Sequence, residues 1–144
     1  MRKFSYLPHT ADIAFVGYGP TLKKALENSA TALLNVMLDL KSVSKVKAAE
    51  ASVHINESAD SKENLVWFTL QDILSKVDTI KLNALRFEVT RLSQGPKGLK
   101  LNGRLVYKKS KADNSLLSVK AITPHDLRVE KNDGVYAIHV VIDV

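Results

Sequence analysis

The run Val135–Ile142, VYAIHVVI, constrains this chain most. It is short and nearly all apolar, with β-branched residues through it, so it reads as a central strand rather than a helix. Asp143 stands at its last step. A carboxylate at the end of a buried strand is costly unless it is paired, hydrogen-bonded or bound to a cation. In the sequence as it stands, Val144 adds a second carboxylate at the same point. Were Asp12 adjacent, three anionic groups would converge, a set that suits Ca²⁺ or Mg²⁺, with Mn²⁺ as a third choice. The alternative, a solvated terminus, stays open.

The rest of the pattern surrounds that strand. Phe4–Tyr6 starts a short strand and Ile13–Tyr18 reads as a buried one, closed by Gly17, Gly19 and Pro20. Thr21 is placed to cap a helix whose Leu22, Ala25, Leu26, Leu33, Leu34 and Met37 fall on one face. Residues 41–47 read as a loop or short extension. Ala51, Val53 and Ile55 alternate with polar neighbours, as in a half-buried strand, and residues 56–61 read as a loop. Ser61 caps a second helix over 62–77. Alternation then predicts a hairpin, Leu85–Val89 and Leu99–Tyr107, about Gly95-Pro96-Lys97-Gly98. A polar loop follows over 108–114, then a strand over 116–122. A last hairpin turns at Asn132-Asp133-Gly134. Strand, helix, strand, helix and a run of strands is an α+β order, with two helices on one face of a mainly antiparallel or mixed sheet. At 144 residues, with no internal linker, the chain reads as a single domain, 1–144.

Composition narrows the chemistry. There is no cysteine, which excludes a disulfide framework, a thiolate zinc site and a cysteine nucleophile, and fits a reducing cytoplasm. No run approaches the length of a membrane span, and no apolar stretch follows Arg2 and Lys3 as a signal peptide requires. The net charge is +6, which favours acidic partners or nucleic acid. Residues 91–111 carry Arg91, Lys97, Lys100, Arg104, Lys108, Lys109 and Lys111 without one acid. This is either a solvated strand face and hairpin loop or a docking face for RNA or an RNA-handling protein. The GxSxG, P-loop, GxGxxG and HExxH motifs are absent.

Two segments mix imidazole, hydroxyl and carboxylate where a strand meets a loop: His9-Thr10-Ala11-Asp12 and Lys120-Ala121-Ile122-Thr123-Pro124-His125-Asp126. Such junctions expose polar groups on a rigid scaffold. The plainer account is that Thr10, Asp12, Thr123 and Asp126 satisfy turn amides. His54 and His139 read as ordinary strand histidines, and Trp67 as a core or surface contact.

LPHTADIAFVGYG, VKAITPHDLRVE and the closing VVIDV, in that order and across this length, resemble the archease family. The resemblance implies a small α+β fold of strand–helix–strand–strand type with an inserted unit. It implies a non-enzymatic activator of the GTP-dependent RNA-splicing ligase, which joins RNA 3′-phosphate or 2′,3′-cyclic phosphate ends to 5′-hydroxyl ends in tRNA splicing. The activator promotes guanylylation and multiple turnover of that ligase and meets RNA through it. Carried over, the metal site falls on Asp12, Asp143 and Val144. His9, Lys120, His125 and Asp72 become candidates for ligase or nucleotide contact, with orienting Asp12 or capping the turn as the alternatives for His9. The chain departs from the family pattern at Pro124, where many relatives have Tyr, and at Thr69, where a tryptophan is usual. Asp72 stands where the polar pair usually ends in Glu. Two other readings remain: a stand-alone phosphoester hydrolase using His9, Asp12, His125 and Asp126, and an RNA-binding module using the basic run.

Overall fold

The computed structural model describes residues 1–8 and 12–144. In chain order the elements are β1 (Phe4–Leu7), β2 (Ile13–Gly19), α1 (Leu22–Met37), α2 (Leu40–Lys45), β3 (Glu50–Ala59), α3 (Lys62–Ile80), β4 (Asn83–Gly95), β5 (Gly98–Lys108), β6 (Ala121–Asn132) and β7 (Val135–Asp143). The α+β class is as expected, and the strands divide between two antiparallel sheets. One has the order β1-β2-β7-β6, the other β3-β5-β4. The second sheet and α3 therefore form a unit inserted between α1 and β6. No helix among the described residues is long and apolar enough to cross a membrane.

β7 is the interior strand that its composition demands, lying between β2 and β6. Pleat alternation sends Ile138, Val140 and Ile142 to the core, where all three are buried. α1 lies over this face with Leu26, Leu33 and Leu34 fully buried, each contributing about 1.5–3 kcal/mol through burial. Thr21 caps it as expected, its Oγ1 accepting from the Lys24 N–H at 3.1 Å. The close approach of α1 to β2 depends on Gly17, where an added Cβ would stand 2.0 Å from Ser29 Oγ and 2.8 Å from its backbone nitrogen. One core joins α1 and α3 to the inner faces of both sheets.

Four local expectations need correction. Residues 40–45 form a short helix, capped by Asp39, whose Oδ1 accepts from the Ser42 N–H at 3.1 Å. β3 runs on to Ala59 through the segment expected to be a loop, because its whole length pairs with β5 from Glu50↔Lys108 to Ala59↔Leu99. Helix α3 continues to Ile80 and ends on Lys81 in the left-handed region, at φ 57°. The strand expected over 116–122 begins only at Ala121. Leu116 and Leu117 are exposed instead, so their apolar character signals no buried strand there. The Asp-Gly turn holds, with Asp133 and Gly134 both at positive φ.

Candidate functional site

The register brings the two ends of the sequence together. Ile13 pairs with Ile142 across β2 and β7. Asp12 immediately precedes that pair and Asp143 immediately follows it, so two carboxylates flank one cross-strand step. On the other side, Ala121 of β6 pairs with Asp143, and the Lys120 N–H donates to the Asp143 carbonyl at 2.8 Å. Asp12, Lys120, Asp143 and Val144 thus share one end of the four-stranded sheet. Asp12, Asp143 and Val144 are half-buried, and Lys120 is exposed. The contact seen for Lys120 is made by its main chain.

The donor set is limited. Among the described residues, no three His, Cys, Asp or Glu side chains stand close enough together to hold a metal ion. Asp12 and Asp143 supply two carboxylates, so a cation held here takes its third protein oxygen from the main chain, and Val144 offers the nearest one in sequence. All three donors are hard oxygens, the kind that Ca²⁺ and Mg²⁺ accept.

His125 occupies an irregular stretch inside β6. Between Thr123↔Val141 and Arg128↔His139 the register shifts, leaving Pro124, His125, Asp126 and Leu127 unpaired with β7. This is an extended bulge, four residues of β6 against Val140 of β7, a feature that re-aims side chains. Thr123 fixes its near end, its Oγ1 donating to the Val141 carbonyl at 3.0 Å. A cavity of about 310 Å³ opens beside the bulge, lined by His125, Asp126, Arg128 and His139 together with Leu7 and Ala14. Ala14 and Val141, a cross-strand pair lining this cavity, lie two residues from Asp12 and Asp143 respectively, and so on the same face. The motif expected at a strand–loop junction is therefore within a strand, interrupted by a bulge. His9, with Thr10 and Ala11, lies outside the described residues.

Helix α3 holds this bulge at both ends. Trp67 Nε1 donates to the Ile122 carbonyl at 2.8 Å, and the Ile122 N–H donates to Gln71 Oε1 at 3.2 Å. Beyond the bulge, the Val129 N–H donates to Glu63 Oε2 at 3.3 Å. These positioning contacts escape sequence reasoning. The only signal was that Trp67, Gln71 and Glu63 recur at helical spacing on one face. Thr69, at the departure position, is fully buried with its hydroxyl donating to the Leu65 carbonyl at 2.7 Å.

Asp72 does not join the carboxylates of the sheet end. It ion-pairs with Lys76 at 2.6 Å and meets the Glu57 carboxyl of β3. Burial, and then the Asp72 carboxyl beside it, push Glu57 up from its ordinary value to about 7. When protonated, the Glu57 carboxyl hydrogen-bonds Asp72 rather than opposing its charge.

The basic run divides. Arg104 and Arg86 both bond Glu88, at 2.7 and 2.8 Å, which holds that carboxyl below the usual range. Arg91, Lys97 and Lys100 are exposed on the β4–β5 hairpin, as a solvated strand face requires. His54 is exposed opposite Arg104, and His139 lies within 3.4 Å of Glu130 and 3.3 Å of Arg128.

Known proteins share this sequence and architecture. The model of the archease protein family matches residues 4–144. The chain is 35% identical over 146 residues to the protein archease of Methanosarcina acetivorans, covering 99% of this chain and 97% of that protein. It is 30% identical to the protein archease of Sulfolobus acidocaldarius, with full coverage of both. The solution structure of Methanobacterium thermoautotrophicum protein 1598 superposes with a TM-score of 0.81 at 27% identity, each chain fully covered. A Thermotoga maritima crystal structure, described as an archease and possible chaperone, shares the fold with a TM-score of 0.57 at 22% identity, covering 100% of this chain and 98% of that one.

Proposed function

The chain belongs to the archease family, and on that premise we propose that it is a cation-binding accessory protein that activates a GTP-dependent RNA-splicing ligase. The observation that carries this reading is the gathering of Asp12, Asp143 and Val144 at one sheet end, with the Lys120 amide bonded to Asp143. A description as a possible chaperone, given to the Thermotoga relative, supports a role exerted on a partner protein. Asp12, Asp143 and a main-chain oxygen of Val144 would hold the ion, with Ca²⁺ or Mg²⁺ the best match to oxygen donors. Bound there, a divalent ion supplies positive charge for phosphate oxygens of a nucleotide at the partner's site.

The chain's own residues position and expose that end. Trp67 and Gln71 fix Ile122, which keeps Lys120 and Asp143 in register. The bulge turns His125 outward, where it is exposed for contact with the ligase or its nucleotide. Asp72, half-buried on α3 beside Lys76 and Glu57, stays a second contact for the ligase, away from the carboxylate end. The ligase acts on RNA 3′-phosphate and 5′-hydroxyl ends, and the accessory chain meets RNA through it, in the cytoplasm.

The test is ligase guanylylation with GTP, with this protein absent or substoichiometric. Wild type should stimulate, and Asp12→Ala and Asp143→Ala should each lose about tenfold or more of that stimulation with an unchanged circular dichroism spectrum. Calorimetric titration with Ca²⁺ and Mg²⁺ should show the same loss of cation affinity. No stimulation by wild type in Mg²⁺, Mn²⁺ or Ca²⁺ would overturn the reading.

A further inference from the structure

A groove of about 660 Å³ lies between the end of α3 and the irregular segment before β6. Its floor is apolar and includes Met37, Leu38 and Val77. Its outer wall is held in place by the main chain. The Leu116 N–H donates to the Met37 carbonyl and the Asp39 N–H to the Asn114 carbonyl, both at 2.9 Å. Asn83 adds two more bonds, its Nδ2 donating to the carbonyls of Ser110 and Ala112 at 2.9 Å each. The groove is thus preformed.

Its rim breaks the usual rule for exposed side chains. Ile80, Leu116 and Leu117 are 59%, 62% and 42% exposed. They are half of the six large apolar side chains exposed among the described residues, and all three line this one groove. Apolar exposure gathered in this way marks an interaction surface. The rim is also basic. Lys81, Lys109 and Lys111 line it, all three exposed. Of its two acids, Asp113 is already engaged by the Ser115 N–H at 3.0 Å and by the charge of Lys81.

We infer that this groove docks an acidic amphipathic segment of a partner protein, laying leucine-like side chains on the floor and carboxylates against the lysines. A nucleic acid would use the lysines but gain nothing from three exposed aliphatic side chains. A second copy of this chain, itself at net charge +6, would bring a basic rim against a basic rim. The groove also lies close along the chain to the carboxylate end. Leu117 is three residues before Lys120, which bonds Asp143, so the two are at most about 11 Å apart along the chain. A partner seated in the groove is therefore held beside Asp143. The inference deepens the accessory-protein reading and rests on it only in requiring that a partner exist.

The probe is a synthetic helix-forming peptide with leucines at i, i+4 spacing and glutamates elsewhere, titrated into the ¹⁵N-labelled full chain. Amides of residues 78–82 and 109–118 should shift. Ile80→Glu and Leu117→Glu, both exposed positions, should each weaken binding about tenfold. Lys109→Glu with Lys111→Glu should weaken it and flatten its dependence on salt between about 0.05 and 0.5 M. Equal binding of a lysine peptide with the same leucines, stronger shifts of these amides by a single-stranded RNA, self-association abolished by Ile80→Glu, or no binding would each overturn the inference. Peptide binding without stimulated guanylylation sinks the ligase reading alone. Stimulated guanylylation without peptide binding sinks the groove alone.

Discussion

Replacing Glu57 by Gln should change how stability depends on pH. Glu57 lies on β3 beneath α3, where burial and the neighbouring Asp72 carboxyl raise it from 4.5 to about 7, opposed by Lys76. The folded state therefore holds this proton more tightly than the unfolded chain does. The stabilising contribution is fully present below pH 4.5 and is lost as pH rises through about 7. A fully dry group would yield about 1.4 kcal/mol for each pH unit of displacement. Glu57 is only half-buried, so solvent screening leaves about 1 kcal/mol in all. In a chain of this length that is about 3 °C in Tm. The variant keeps an amide that donates to Asp72 at every pH. Thermal melts followed by circular dichroism between pH 4.5 and 8.5 should show wild type losing about 3 °C relative to Glu57→Gln as the medium becomes alkaline. Parallel curves, or wild type gaining on the variant as pH rises, would refute the argument, because titrating groups that do not touch Glu57 cancel in the comparison.

Two further substitutions test the scaffold. Gly17→Ala places a methyl group against both the hydroxyl and the backbone of Ser29; because backbone cannot swing aside, denaturant titration should show a loss of about 2–3 kcal/mol, and Ser29→Gly should not restore it. Trp67→Phe keeps an aromatic ring but removes the donor to the Ile122 carbonyl and part of the packed indole; it should cost about 1–2 kcal/mol and speed amide exchange at Ile122, whereas unchanged exchange would show that Trp67 does not hold β6.

What could be read from the sequence followed from periodicity. The stripe on α1 and the alternation of β4, β5 and β7 are long enough to repeat, so the apolar face declares itself. Leu40–Lys45 is too short to repeat a helical period and is visible only through Asp39 as a cap. β3 was cut short because Glu57 occupies an inward position and breaks the apolar alternation; a protonated carboxyl behaves there more like an amide than a charge. Leu116 and Leu117 misled in the opposite direction, being apolar but turned outward at the groove.

The carboxylate end was half legible for a definite reason. Asp12 and Asp143 each abut an apolar run, and that is a local feature. That the two runs pair, antiparallel and in the register Ile13↔Ile142, is a relation across nearly the whole chain, and no local pattern encodes it. The same limit hid α3's part. Glu63, Trp67 and Gln71 reach β6, Asp72 reaches β3, and Val77 and Ile80 line the groove. One helix thus ties the inserted sheet to the end of the other sheet that carries Asp143. Its exposed-looking polar residues are accounted for by what they hold in place, which explains why a chain with few polar groups in its core keeps Gln71 and Asp72 on a helix packed between two sheets.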